Sequence, residues 1–322
     1  MAFLLAPLSA CVHPGAKPVA SAHPLAGKIW DVAHSRMIAK DALLRELASA
    51  PFVLLGEVHD NPVHHQLQAD VLQAVIAAGL RPALAMEQLD REHQSAIDAA
   101  AAAAGATADS VADAGVVDRK GWAWNFYAPL MKLALDARLP VVAMNLSRDG
   151  ARNVARQGFT SLGASAPADL ALDRTWNPVR QKVMEREIDD GHCGQLPPSA
   201  LPRMIDMQRA RDATMADALV TRAPQGAVVI AGAGHVRTDI GIPVYLAARM
   251  PGKRVIAIGF VEIDAERRNV GDYAPTPTAP PPYDYAWFTP AAEREDPCAG
   301  FTMPTRPAPA PAPARSSSPP AG

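Results

Sequence analysis

Phe52-Val53-Leu54-Leu55-Gly56-Glu57-Val58-His59-Asp60-Asn61-Pro62-Val63-His64-His65 is the stretch on which the fold turns. Its first five residues form a near-continuous apolar run, the pattern of a strand covered on both faces. Asn61 is placed to cap a helix and Pro62 suits its first position, while Leu67, Val71, Leu72, Val75 and Ile76 form one apolar stripe. Gly79 ends that helix. Further buried-strand patterns lie at 83–87, 141–144, 227–231 and 254–260, with amphipathic segments between them. This alternation predicts an α/β fold: a mostly parallel central sheet flanked by helices and joined by right-handed crossovers. Residues 148–224 read as a helical insertion, a cap or subdomain over one end of the sheet.

Length and composition narrow the function classes. The 322 residues are 49% apolar with a formal charge of −2, so no electrostatic footprint for nucleic acid is present. No apolar run approaches the ~18 residues of a membrane-spanning helix. Residues 1–11 are apolar and end in Leu8-Ser9-Ala10-Cys11, which has the form of a bacterial lipoprotein signal with Cys11 as the acylated residue. On that reading 12–26 is a tether, 27–301 the α/β domain, and the Pro/Ala-rich 302–322 a disordered tail. Cys193 and Cys298 then remain as an even pair in an oxidising compartment, where a disulfide persists.

In open α/β sheets ligands bind beyond the carboxyl ends of the strands. The predicted strands deliver Glu57 and His59, then Glu87, then Asn145, then Gly232-Ala233-Gly234-His235 with Arg237, all to one edge. Histidines beside carboxylates bind a divalent metal or act as general acid–base pairs. His59, His65, Glu87 and His235 are the candidate metal ligands; His64 reads as a solvated residue of the helix start. On the segment 201–219, Gln208 and Asp212 share a face with apolar residues, which sets a choice between a cleft and a slightly rotated helix. His93 reads as exposed. The third glycine of a dinucleotide fingerprint is missing, and neither a phosphate loop nor a nucleophile elbow is present. Gly121-Trp122-Ala123-Trp124-Asn125-Phe126-Tyr127 allows two readings: core aromatics, or a flat platform whose phenol holds a planar ligand such as haem.

Leu55-Gly56-Glu57-Val58-His59-Asp60-Asn61 with His64-His65, then Glu87, Trp122-Ala123-Trp124, Gln208 with Arg211-Asp212, and Gly232 through Arg237 together resemble the ChaN-like haem-binding lipoproteins of Gram-negative bacteria. The resemblance spans roughly residues 29–301. It implies an outer-membrane, periplasm-facing lipid anchor, a role in haem or iron uptake alongside outer-membrane uptake machinery, a possible homodimer, and haem held through Tyr127 with Trp124 beside it. The wider superfamily includes erythromycin esterases and Tiki-type metal-dependent proteases. That kinship implies an active-site-like set of Glu57, His59, Glu87 and His235, with Glu57 or Glu87 as base. Haem needs one axial ligand and mainly apolar walls, so this polar set keeps a metal-dependent hydrolase as the alternative.

Overall fold

The computed structural model describes residues 23–274, 279–296 and 298–299. Cys11, most of the expected tether and the tail at 302–322 lie outside them. Strands β1 (Ile29–Asp31) and β2 (Arg36–Ile38) lead into helix α1 (Lys40–Leu47), then β3 (Phe52–Glu57), α2 (Pro62–Ala77) and β4 (Ala83–Asp90). Helices α3 (Gln94–Ala102), α4 (Ala108–Ala114) and α5 (Ala128–Asp136) precede β5 (Val141–Asn145). The expected insertion resolves into α6 (Arg148–Gln157), the single turn α7 (Ala166–Asp169), α8 (Pro178–Asp190) and α9 (Leu201–Arg222). The chain then runs through β6 (Ala227–Gly232), α10 (Ile242–Arg249), β7 (Val255–Glu262) and β8 (Tyr285–Thr289).

These strands form one eight-stranded sheet in the order β2-β1-β8-β7-β3-β6-β4-β5. From β8 to β5 every pairing is parallel, whereas β1 runs antiparallel to β8 and to β2. Five strands lie where the apolar runs predicted them, each within three residues at its ends. The sequence reading had no counterpart for β1, β2 or β8. The first two are only three residues long and β2 is mostly exposed, so neither carries a buried run.

Successive side chains of a strand point to opposite faces, and β3 divides accordingly. Val53 and Leu55 pack in the layer containing Val71, Leu72 and Val75 of α2 and Leu130 and Met131 of α5. Phe52 and Leu54 pack in the layer containing Ala216 and Leu219 of α9 and Val244 and Leu246 of α10. Helices after β3 and β6 therefore leave on opposite faces, which makes the β3–β6 boundary a topological switch point. The Asn61 side chain accepts the Val63 N–H at 2.9 Å and caps α2. Among the described residues, no helix is long and apolar enough to cross a membrane. A disulfide joins Cys193, beyond α8, to Cys298 near the other end of the chain, with Cα atoms 5.6 Å apart.

Candidate functional site

The polar residues gather at that switch point. Glu57 ends β3 with its carboxylate buried, and five side chains converge on it. Tyr127 donates its hydroxyl to Oε1 at 2.5 Å, and Gln68 donates to Oε2 at 2.5 Å. His59 Nδ1 lies 2.9 Å from Oε1, Gln88 Nε2 at 3.3 Å, and His65 Nδ1 3.4 Å from Oε2. With Nδ1–H committed to the carboxylate, neutral His59 carries its lone pair on Nε2. Burial works against the His59 cation, yet the Glu57 hydrogen bond and the Glu57 and Glu87 charges outweigh it and raise its pKa. A methyl group on Gly232 would stand 3.1 Å from His59 Nε2, so glycine leaves that side of the ring open.

A second hub faces the first from β6. His235 Nδ1 lies 2.5 Å from Asp212 Oδ1 on α9, and its Nε2 lies 3.3 Å from Glu87 Oε1. Both ring nitrogens face carboxylates, the arrangement of an imidazolium. Burial opposes that charge, but Glu87 and Asp212 lift His235 to about 10. Burial likewise opposes ionisation of Glu87, yet His235 and the Gly232 N–H at 2.8 Å pull it down to about 2. Burial raises Asp212 to about 6 against the pull of His235. Gln208, one turn before Asp212, sets its amide 3.0 Å from His235 Nδ1. Asp212 is fully buried against His235, while Gln208 is half-buried and reaches the same ring from one turn earlier.

Other expectations change. His64 is fully buried, not solvated: its Nδ1 accepts the Val58 N–H at 2.9 Å while Nε2 meets Thr289 of β8 at 2.8 Å. Burial brings its pKa down to about 4. His65 has both nitrogens engaged, Nε2 on the His59 carbonyl at 2.9 Å and Nδ1 beside Gln68 at 3.2 Å. It braces the His59 loop. Among the described residues, no three or more His, Cys, Asp or Glu side chains are grouped to hold a metal ion. The quartet His59, His65, Glu87 and His235 is therefore divided between two carboxylate hubs.

Tyr127 and Trp124 belong to the core, which decides between the two readings of the aromatic stretch. Tyr127 is 0% exposed. Burial and the Glu57 carboxylate push its pKa well above the ordinary phenol value, and its hydroxyl is committed to Glu57. Arg237 is buried but turns away, donating to Glu187 at 2.6 Å and to Asp239 at 2.9 Å. It lines a separate cavity with Tyr273 and Tyr283.

Over the hubs lies a cleft of about 750 Å³, bordered by His59, Glu87, Gln88, Asp90, Trp122 and Asn145. Asn145 donates to Asp90 at 3.0 Å, and His93, half-buried, also reaches this cleft. Gln88 and Asn145 are 3% and 5% exposed, and Gln88 Oε1 and Asn145 Oδ1 have no hydrogen-bond partner among the described residues. Neither Gln68 nor Gln88 was singled out from the sequence. Gln68 was findable: it sits three residues after His65, on a face that otherwise wants apolar side chains. Gln88 was not, because adjacent strand residues ordinarily face opposite ways. The β4–β5 register is irregular between Met86 and Asp90, and both Glu87 and Gln88 reach the site.

A doubly wound sheet carrying two carboxylate–histidine hubs at its switch point is the scaffold of an α/β protein that binds or transforms a ligand at its carboxyl edge. The chain belongs to the family described as haem-binding uptake, Tiki superfamily, ChaN, whose model matches residues 43–246. Among solved structures it is similar to ChaN of Campylobacter jejuni, described for its cofacial haem binding. Identity is 20%, coverage is 80% of this chain and 95% of that one, and the TM-score is 0.64, a likeness of fold. The type III effector HopBA1 matches at 14% identity over 78% of this chain and 93% of that one, with a TM-score of 0.41. An erythromycin esterase in its open conformation matches at 15% over 80% of each chain, with a TM-score of 0.39. No curated protein matches the chain.

Proposed function

We propose that this protein binds haem in the cleft above the two hubs, with His59 as the iron ligand. The observation that carries the reading is the Nε2 of His59, which has no partner among the described residues. Its side chain is 45% exposed, and Glu57 fixes the ring through Nδ1. A carboxylate on the far nitrogen orients a ligating imidazole and raises its basicity. The cleft volume lies within the range of cofactor sites, and Trp122 packs edge-on to His59 at 5.0 Å between ring centroids, supplying apolar wall. Family membership supports the same ligand. Bound haem would supply the redox and ligand-exchange chemistry of its iron; the chain's part is to hold, orient and shield it.

Titrating the purified protein with haemin tests this. A saturable Soret shift is expected, lost or moved in wavelength in His59→Ala and retained in Tyr127→Phe. Absence of a saturable shift in the wild type, or an unchanged spectrum in His59→Ala, would overturn the reading.

A second reading is favoured by the two unpartnered buried acceptors, Gln88 Oε1 and Asn145 Oδ1. Buried acceptors call for donors, which a substrate rich in N–H or O–H groups offers and a metalloporphyrin does not. In that case His59, oriented by Glu57, takes a proton from water in the cleft. Such a hydrolase should act on some member of a panel of aryl esters and peptides, with kcat/KM reduced about 100-fold or more in His59→Ala. No hydrolysis above the blank by the wild type removes this reading.

A further inference from the structure

Three arginines, Arg148, Arg152 and Arg211, border the cleft that His59 also lines, beside the carboxylates Glu87, Asp90, Asp118 and Asp149. Arg148 and Arg152 lie one turn apart on α6, and Arg211 comes from α9. The placement works against the stability of α6. Arg148 is the first residue of the helix, where the dipole disfavours a cation, and like charges at i and i+4 repel. Arg152 reaches only Asp149, at 3.1 Å between two exposed side chains, an ion pair of small net value. Arg148 and Arg211 make no hydrogen bond and no ion pair among the described residues. Of the carboxylates that share the cleft, Asp149 pairs with Arg152 and Asp90 feels the charge of Arg211, while the others have partners of their own. Glu87 is matched by His235, and Asp90 accepts from Asn145. Asp118 accepts the N–H of Gly121 within its own turn.

We infer that Arg148, Arg152 and Arg211 form a subsite for organic carboxylates, and that the cleft takes its ligand acid-first against them. Guanidinium groups present paired N–H donors that match a carboxylate bidentately, and separate arginines on two helices suit a ligand with more than one acid group. The inference deepens the haem reading, on which the acids are the two propionates of the porphyrin.

Three porphyrin probes separate acid recognition from iron ligation: haemin, metal-free protoporphyrin IX and haemin dimethyl ester. Each is measured on the wild type and on Arg148→Ala/Arg211→Ala, whose exposed or half-buried positions leave the fold intact. The double variant should weaken both free-acid porphyrins tenfold or more, the equivalent of about 1.4 kcal/mol, and leave the ester unaffected. Equal wild-type affinity for haemin and its dimethyl ester, or an unchanged haemin Kd in the double variant, overturns the subsite. If no porphyrin binds, the haem reading falls by itself, and thermal stabilisation by citrate against chloride at matched ionic strength decides the subsite. Greater citrate stabilisation of the wild type than of the double variant upholds the subsite, and equal stabilisation overturns it.

Discussion

Replacing Glu57 with leucine will destabilise the protein by about 3–5 kcal/mol, the usual consequence of removing one partner of a buried charged network. The leucine fills much the same volume, so the loss is not one of packing. It comes from the groups left behind: the Tyr127 hydroxyl and the Gln68 amide, both fully buried and both 2.5 Å from the carboxylate, lose their acceptor with no water to replace it. His59 loses the partner that fixes its ring, so haemin binding should weaken in the same variant. At ~2–4 °C per kcal/mol for a domain of this class, thermal unfolding should fall by roughly 10 °C. Glu57→Gln is the discriminating control. It keeps the shape and can still accept from Tyr127, but turns an NH2 toward the Gln68 donor, so its melting point should lie between the two. A Glu57→Leu protein melting within 2 °C of the wild type would show that the hub is not the stabilising network described here.

Stability should peak near pH 6.5 and decline more steeply on the alkaline side. The sign follows from which state holds more protons. His235 is lifted from the ordinary 6.5 to about 10, so between those values the folded chain binds the proton more tightly than the unfolded chain. Its contribution is complete below 6.5 and is lost as pH rises through 10. His59, also raised, acts in the same direction. Each such proton contributes a slope of up to about 1.4 kcal/mol per pH unit. On the acid side His64, lowered to about 4, contributes fully above 6.5 and loses that contribution as pH falls through 4. Asp212, raised to about 6, runs oppositely, losing stability as pH rises from 3.8 to 6, so it partly offsets His64 and flattens this limb. Below 4.5 the limb steepens as Glu87, lowered to about 2, begins to be protonated preferentially in the unfolded chain. Urea denaturation from pH 3 to 10 reads the profile. His235→Asn should flatten the alkaline limb, and an unchanged limb in that variant would remove His235 as its origin.

Much of this molecule was legible before folding was considered. The run Phe52 to Gly56, the Asn61-Pro62 helix start and the strand at 227–231 led to a parallel sheet. The rule that ligands gather beyond strand ends then placed Glu57, His59, Glu87, Asn145 and His235 together. Periodic apolar runs are local signals, read residue by residue, and a buried strand of five or six residues has little freedom to be anything else. Strands β1 and β2 escaped because three-residue antiparallel pairing at the sheet edge needs no long apolar run; β8, a fully buried strand parallel to β7, was missed although Tyr285–Thr289 is largely apolar. The N-terminal Leu8-Ser9-Ala10-Cys11 motif remains a statement of sequence.

Partnership was decided by tertiary structure alone. Nothing in the residues near Tyr127 says that its hydroxyl will end on Glu57, 70 positions away. That contact turns the expected iron ligand into a buried core donor. Nothing near His64 says that Thr289 on an unforeseen strand will bury it. Nor does any pattern announce that an irregular β4 ladder will bring both Glu87 and Gln88 to the site. A hydrogen bond takes the direction and depth of the side chains it joins, and these are set by which strands become neighbours. The sequence by itself determined five of the sheet's strands and the edge where the chemistry collects. Only the packed chain decided that His59 keeps an open nitrogen while both nitrogens of His65 and the hydroxyl of Tyr127 are engaged.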